Sequence, residues 1–190
     1  QLKTGGYAFT TRRPMPALTR IGGVLVQLVE IPGLIEGAAD DRGGGRALLG
    51  VLRFADAIVY CGRADGDPHD LEVVRAEVAA AGIEKPSLIA ATRADEAPAS
   101  AIERLRGRAD GLDVVAVSVL DETSLDAIRD AIWELSGLIR VQLRTNGFTQ
   151  AELPALEPGS TAADVAAHVH HELGAPSCVP GRPGPSARPD

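Results

Sequence analysis

Residues 24–37 read VLVQLVEIPGLIEG. Val24 to Val29 is apolar at every position except Gln27, the composition of a central strand buried on both faces, and Pro32-Gly33 punctuates its end. Just upstream, Pro16 to Ile21 reads as a second strand, and Gly22-Gly23 between the two supplies the positive φ angles of a tight hairpin turn. Downstream the texture alternates. Ala57 to Cys61 is a short apolar run. Pro68 to Ala81 is a helix with Asp67 as N-cap, Pro68 at its first position and Gly82 as its stop. Ser87 to Ala91 is apolar again, a helix follows near Ala99 to Arg106, and Val114 to Val117 is a third run. Thr123-Ser124-Leu125-Asp126 then has the form of a capping box opening a helix, with Asp in the usual Glu position. Short apolar runs alternating with amphipathic helices predict parallel strands joined by crossovers, a doubly wound α/β sheet.

Composition narrows the functional classes. A chain of 190 residues buries a real core as one domain or slightly more. No apolar run approaches the roughly 20 residues that span a bilayer, and no signal-peptide pattern is present. Cys61 and Cys178 are too few for a disulfide framework and too far apart for a zinc site. The net charge of -7 removes global attraction to nucleic acid, and 3% aromatic residues argue against a base-stacking platform. The expectation is a cytoplasmic globular protein without a membrane segment. Because Gln1 stands inside what reads as a loop, a fragment is expected. After Ser136-Gly137, Leu138 to Leu143 reads as a strand and Thr161 to Leu173 as a helix capped by Thr161 with Asp164, a unit too short to close its own core. From Gly174 the Gly, Pro, Ser, Arg and Ala composition predicts a disordered tail over 174–190.

Four clusters fall where a doubly wound sheet presents its ligand, at strand carboxyl ends and adjacent loops. They are Tyr7-Ala8-Phe9-Thr10-Thr11, then Glu30-Ile31-Pro32-Gly33-Leu34-Ile35-Glu36-Gly37, then Thr92-Arg93-Ala94-Asp95, then Ser118-Val119-Leu120. In order and spacing they resemble the guanine-nucleotide motifs of translation-factor-related GTPases of the Obg and DRG families. The resemblance runs from about Tyr7 to Leu173, and its most specific part is PGLIEGA followed by a Gly-Arg-rich turn and a helix. It implies a P-loop NTPase-like, doubly wound, mainly parallel sheet over 1–136 and a partial β-grasp, TGS-like segment over 137–173. It also implies a site. Thr11, ahead of Thr10, would coordinate Mg²⁺; Glu30 would hold the metal through a water; the Gly33 N–H would meet the terminal phosphate. Thr92, Arg93 and Asp95 would read guanine, the Asp95 carboxylate accepting from the ring N–H and the exocyclic amine together. A backbone N–H at Ser118 or Val119 would meet the guanine O6. GTP or GDP with Mg²⁺ and a ribosomal or other RNA-related partner, reached through the TGS-like segment, are the implied ligands.

The departures from the family pattern are chemical. No G-x-x-x-x-G-K-[ST] occurs in the chain; the family places that loop, with its strand, ahead of Gln1, and it supplies most of the phosphate binding. Little or no GTP turnover is therefore expected of this chain. Glu30 replaces Asp, one methylene longer. Thr92 replaces Asn and loses a bracing amide, and Arg93 replaces Lys yet still stacks on a base face. Leu34 stands where a water-orienting Gln is usual, so a slow molecular switch is expected. The alternative is a GTPase remnant that has kept only a docking surface for protein or RNA. An unrelated doubly wound enzyme would need an acidic cluster at the strand ends, where only Glu30 and Asp95 qualify. Gly43-Gly44-Gly45 reads as a mobile switch loop, and Cys61 as a buried small hydrophobe.

Overall fold

The computed structural model describes residues 14–31, 33, 34, 36–145, 148, 149 and 155–173. Thr10, Thr11 and the 174–190 tail lie outside them. The chain divides into two compact units, residues 1–138 and 139–190.

The first unit opens with the hairpin. Strand β1 (Met15–Ile21) and strand β2 (Val24–Glu30) pair antiparallel, with Ile21 opposite Val24 at the turn and Met15 opposite Glu30 at the far end. Gly22 and Gly23 take φ of 55° and 88°, as the sequence predicts. The reading of β2 as a central buried strand needs correction. Val24 is buried, but Leu25, Leu28 and Val29 are exposed, Leu25 at 56%. Among the described residues β2 pairs only with β1, so its second edge and much of its apolar surface remain uncovered.

A parallel three-stranded sheet follows, in the order β3 (Ile58–Arg63), β4 (Ser87–Thr92), β5 (Val114–Val117). Helix α2 (Pro68–Ala80) crosses from β3 to β4, and α3 (Ala99–Arg106) from β4 to β5. The start of α2 is dictated locally: Asp67 accepts from the His69 N–H at 3.0 Å, and Pro68 takes the first position, where no N–H is needed. Helix α4 (Glu122–Ser136) begins earlier than the capping-box reading places it. Its cap is Asp121, which accepts from the Thr123 N–H at 3.0 Å. A carboxylate two residues upstream of Thr123 won the position that both residue types favour.

Packing explains why β4 is the most buried of the three strands. Ile89 and Ala91 belong to a core cluster with Leu49 and Leu52 of α1 (Gly45–Arg53), Leu71 and Val78 of α2, and Leu105 of α3. Leu88 and Ala90 point the other way and are equally buried, on the side where α4 packs against β4 and β5 and reaches β1. Helices on both faces make the sheet doubly wound, as the alternating pattern requires. Cys61, expected in the interior, is exposed instead, because it lies on β3, whose second edge is unpaired among the described residues.

In the second unit the predicted strand over Leu138 to Leu143 shrinks to β6 (Ile139–Arg140), paired antiparallel with β9 (Ala155–Leu156). Between them β7 (Arg144–Thr145) pairs with β8 (Phe148–Thr149). Helix α5 (Ala162–Leu173) has the predicted start. Asp164 accepts from both the N–H and the hydroxyl of Thr161 at 2.7 Å. Those bonds, the backbone one foremost, hold the Asp164 carboxyl below its ordinary range.

Candidate functional site

Strands β3, β4 and β5 end flush, with Arg63 opposite Thr92 and Thr92 opposite Val117. The ladder continues one step into the loops. Ala64 donates to the Thr92 carbonyl at 2.8 Å, and Ala94 donates to the Val117 carbonyl at 3.1 Å. The two candidate base-reading loops therefore leave adjacent strands at the same level, on rigid backbone.

Thr92 uses its hydroxyl across the sheet, donating to the Gly62 carbonyl at 3.0 Å. That bond ties the end of β4 to the neighbouring strand. Arg93 sits at φ 57°, an unusual conformation for a residue with a Cβ, and a turn closes beneath it where Glu96 N–H donates to its carbonyl at 3.1 Å. Its guanidinium bonds Glu96 at 2.6 Å. Asp95 is exposed. Beside this loop Arg63 forks onto Asp65 at 2.9 and 2.7 Å, which holds the Asp65 carboxyl low, with a smaller contribution from Arg93. Motif reading missed Arg63, Asp65 and Glu96, whose signal is only their position just beyond or at strand ends.

Of the two candidates for the O6 contact, Ser118 is occupied. It is buried, its N–H donates to Ser124 Oγ at 2.9 Å, and its own hydroxyl accepts from Leu120 N–H at 3.1 Å. Val119 is 84% exposed. Of the two, Val119 is therefore the one open to solvent, while Ser118 shapes the turn.

At the end of β2, Glu30 is exposed and within electrostatic reach of Cys61. The Cys61 thiol is pushed up, first by the dense packing around its inner side and then by the Glu30 charge, although the residue reaches the surface. Gly33 is exposed, and Leu34 turns inward to 8% exposure among Leu49, Leu52 and Ile58. No side chain at position 34 is thus available to a water molecule. The loop then closes a turn at Gly37, φ 83°, whose carbonyl accepts from the Asp40 and Arg42 N–H groups at 3.1 and 3.0 Å. Glu77, from the last turn of α2, accepts from the Gly37 and Ala39 N–H groups at 2.7 and 2.8 Å. Those two bonds, Ala39 first, hold its carboxyl below the ordinary range. The Gly43-Gly44-Gly45 stretch is a defined turn. Gly43 and Gly44 take left-handed angles, and Gly45 presses on Ala38 so closely that a Cβ would lie 2.2 Å from its carbonyl oxygen.

Among the described residues no group of three or more His, Cys, Asp or Glu side chains forms a metal cluster. No helix there is long and apolar enough to cross a membrane.

Residues 1–93 match the family described as 50S ribosome-binding GTPase. The chain is 32% identical over 143 residues to GTPase Obg of Rhizorhabdus wittichii, covering 71% of this chain and 41% of that protein. It is 42% identical over 57 residues to mouse developmentally-regulated GTP-binding protein 2, covering 30% and 16% respectively. Among solved structures it is similar to Era in complex with MgGDPNP and a segment of 16S ribosomal RNA. That likeness has a TM-score of 0.57 at 21% identity and covers 83% of this chain and half of the Era chain. The chain spans well under half the length of the curated relatives that it matches over most of its own length. The fold is the α/β fold of the Era GTPase, and the sequence is similar to those of GTP-binding proteins of the Obg and DRG type.

Proposed function

We propose that this chain is the switch-bearing part of a cytoplasmic guanine-nucleotide switch, which signals by nucleotide state and turns over slowly. The observation that carries this reading is the level, adjacent exit of the Thr92–Asp95 and Ser118–Val119 loops from β4 and β5. A planar base needs its edge read from two sides, and such an exit supplies a carboxylate at Asp95 and a backbone donor at Val119. Arg93 stacks on the base face. Gly33 offers its N–H to the terminal phosphate. Glu30, with Thr11, offers the hard oxygen donors that Mg²⁺ prefers. A metal held by these residues would supply positive charge against the phosphates. With Leu34 buried, hydrolysis has no side chain at that position to orient water, which supports slow turnover.

The second unit acts as a TGS-like docking segment toward ribosomal or other RNA-containing partners. What supports an RNA-related partner is the family match over residues 1–93 and the ribosomal RNA in the Era complex. The test is titration of a fluorescent GTP analogue with Mg²⁺. It is run on this chain and on a version carrying a strand and a G-x-x-x-x-G-K-[ST] loop ahead of Gln1. Binding by the second form, competed by GTP and not by ATP, is the expected result. Silence from both, with folding verified by circular dichroism, overturns the nucleotide reading and leaves a docking module.

A further inference from the structure

We infer that Glu77 is the positioning residue of the loop that carries Gly33. The loop from Gly33 to Asp41 is fixed at three places of different chemistry. Leu34 is buried in the core. Ala38 is packed against Gly45 with no room for a Cβ between them. Between these apolar and steric contacts lie two amides, Gly37 and Ala39, and both donate to one carboxylate at 2.7 and 2.8 Å. A two-oxygen acceptor is the side chain suited to two converging donors, and such charge-assisted bonds are the strong kind.

The tether also explains a residue that helix packing does not. Glu77 lies next to Val78, which is buried at 2% exposure, and both of its oxygens are spent on the loop rather than on the exposed surface of α2. No local pattern calls for it, since its partners are 40 and 38 residues away. By fixing Gly37 and Ala39 it limits the positions open to Gly33, whose amide the proposed function assigns to the terminal phosphate. The inference rests on that reading for its consequence and on geometry alone for the tether.

The test separates the two. Amide hydrogen exchange and pH-dependent amide shifts are measured by NMR on the full 190-residue chain, as wild type, Glu77→Gln, Glu77→Ala and the surface control Glu84→Gln. In the wild type the Gly37 and Ala39 amides shift together on acidification, with a common midpoint. Glu77→Gln and Glu77→Ala remove that shared titration and speed exchange at these two amides by about tenfold, while Ile89 and Ala90 in β4 stay protected. Glu84→Gln changes neither. Retained protection and titration at Gly37 and Ala39 in both Glu77 variants overturn the tether. In a form with the phosphate-binding loop ahead of Gln1, Glu77→Gln weakens the triphosphate by about fivefold, because the loop must then be ordered on binding, and leaves the diphosphate unchanged. Equal loss of both nucleotides overturns the positioning role. Absence of any nucleotide binding defeats the proposed function instead, and the amide data still decide the tether.

Discussion

At the scale of the residue, the informative side chains are those whose partners lie far off in sequence. Thr92 is the clearest. Its hydroxyl reaches the Gly62 carbonyl, 30 residues earlier, and Thr92→Val removes that bond at nearly constant volume. A loss of about 1 kcal/mol in urea unfolding is expected. In the nucleotide-binding form, Asp95→Ala is expected to lower guanine-nucleotide affinity by roughly a hundredfold, since two donors on the base lose one charged acceptor; an analogue titration reads it directly. The altered positions at Thr92 and Arg93 were visible from the sequence. What their side chains bond to was not, because a hydroxyl bonded across a sheet and a guanidinium bonded to Glu96 leave the same letters as free side chains. The carboxyls give a pH prediction. Glu77, Asp65 and Asp164 are all held below their ordinary values. Their contribution to stability is present above the unfolded values of 4.5 and 3.8 and is lost as pH falls through the lower folded ones. Urea midpoints of the wild type therefore decline below about pH 4.5, and Glu77→Gln flattens part of that decline.

At the scale of the element, local chemistry predicted starts better than it predicted surroundings. The α2 start follows from Asp67 and Pro68, and the α5 start from Thr161 and Asp164, because each cap closes within three residues. The α4 start was misplaced because two good capping residues, Asp121 and Thr123, compete within the same turn. Helix α1 gives a prediction in which two rules disagree. Gly45 has ordinary helical angles, so propensity alone makes Gly45→Ala stabilising by about 1 kcal/mol. The contact with Ala38, 2.2 Å from a would-be Cβ, makes it overpacked, and a net loss of about 1–3 kcal/mol is expected. Thermal unfolding of the single variant decides which rule holds.

At the scale of the molecule, β4 is the strand on which both layers depend. Ile89 is 1% exposed and belongs to the cluster formed with α1, α2 and α3, so Ile89→Ala is expected to cost about 2–5 kcal/mol in unfolding free energy. The order of the apolar runs in the first unit and the helices between them were determined by the sequence alone, because strand and helix periodicities and end caps act over a few residues. The motif string around Glu30 to Gly37 and its resemblance to Obg and DRG proteins were legible for the same reason, being contiguous. Tertiary structure alone decided that Leu25, Leu28 and Val29 of β2 are exposed, that Cys61 is exposed, that Leu34 turns inward, that Ser118 spends its amide on Ser124, and that Glu77 grips a loop 40 residues away. Burial and hydrogen-bond partners at that separation are set by which surfaces the folded chain brings together, and no local pattern of residues encodes them.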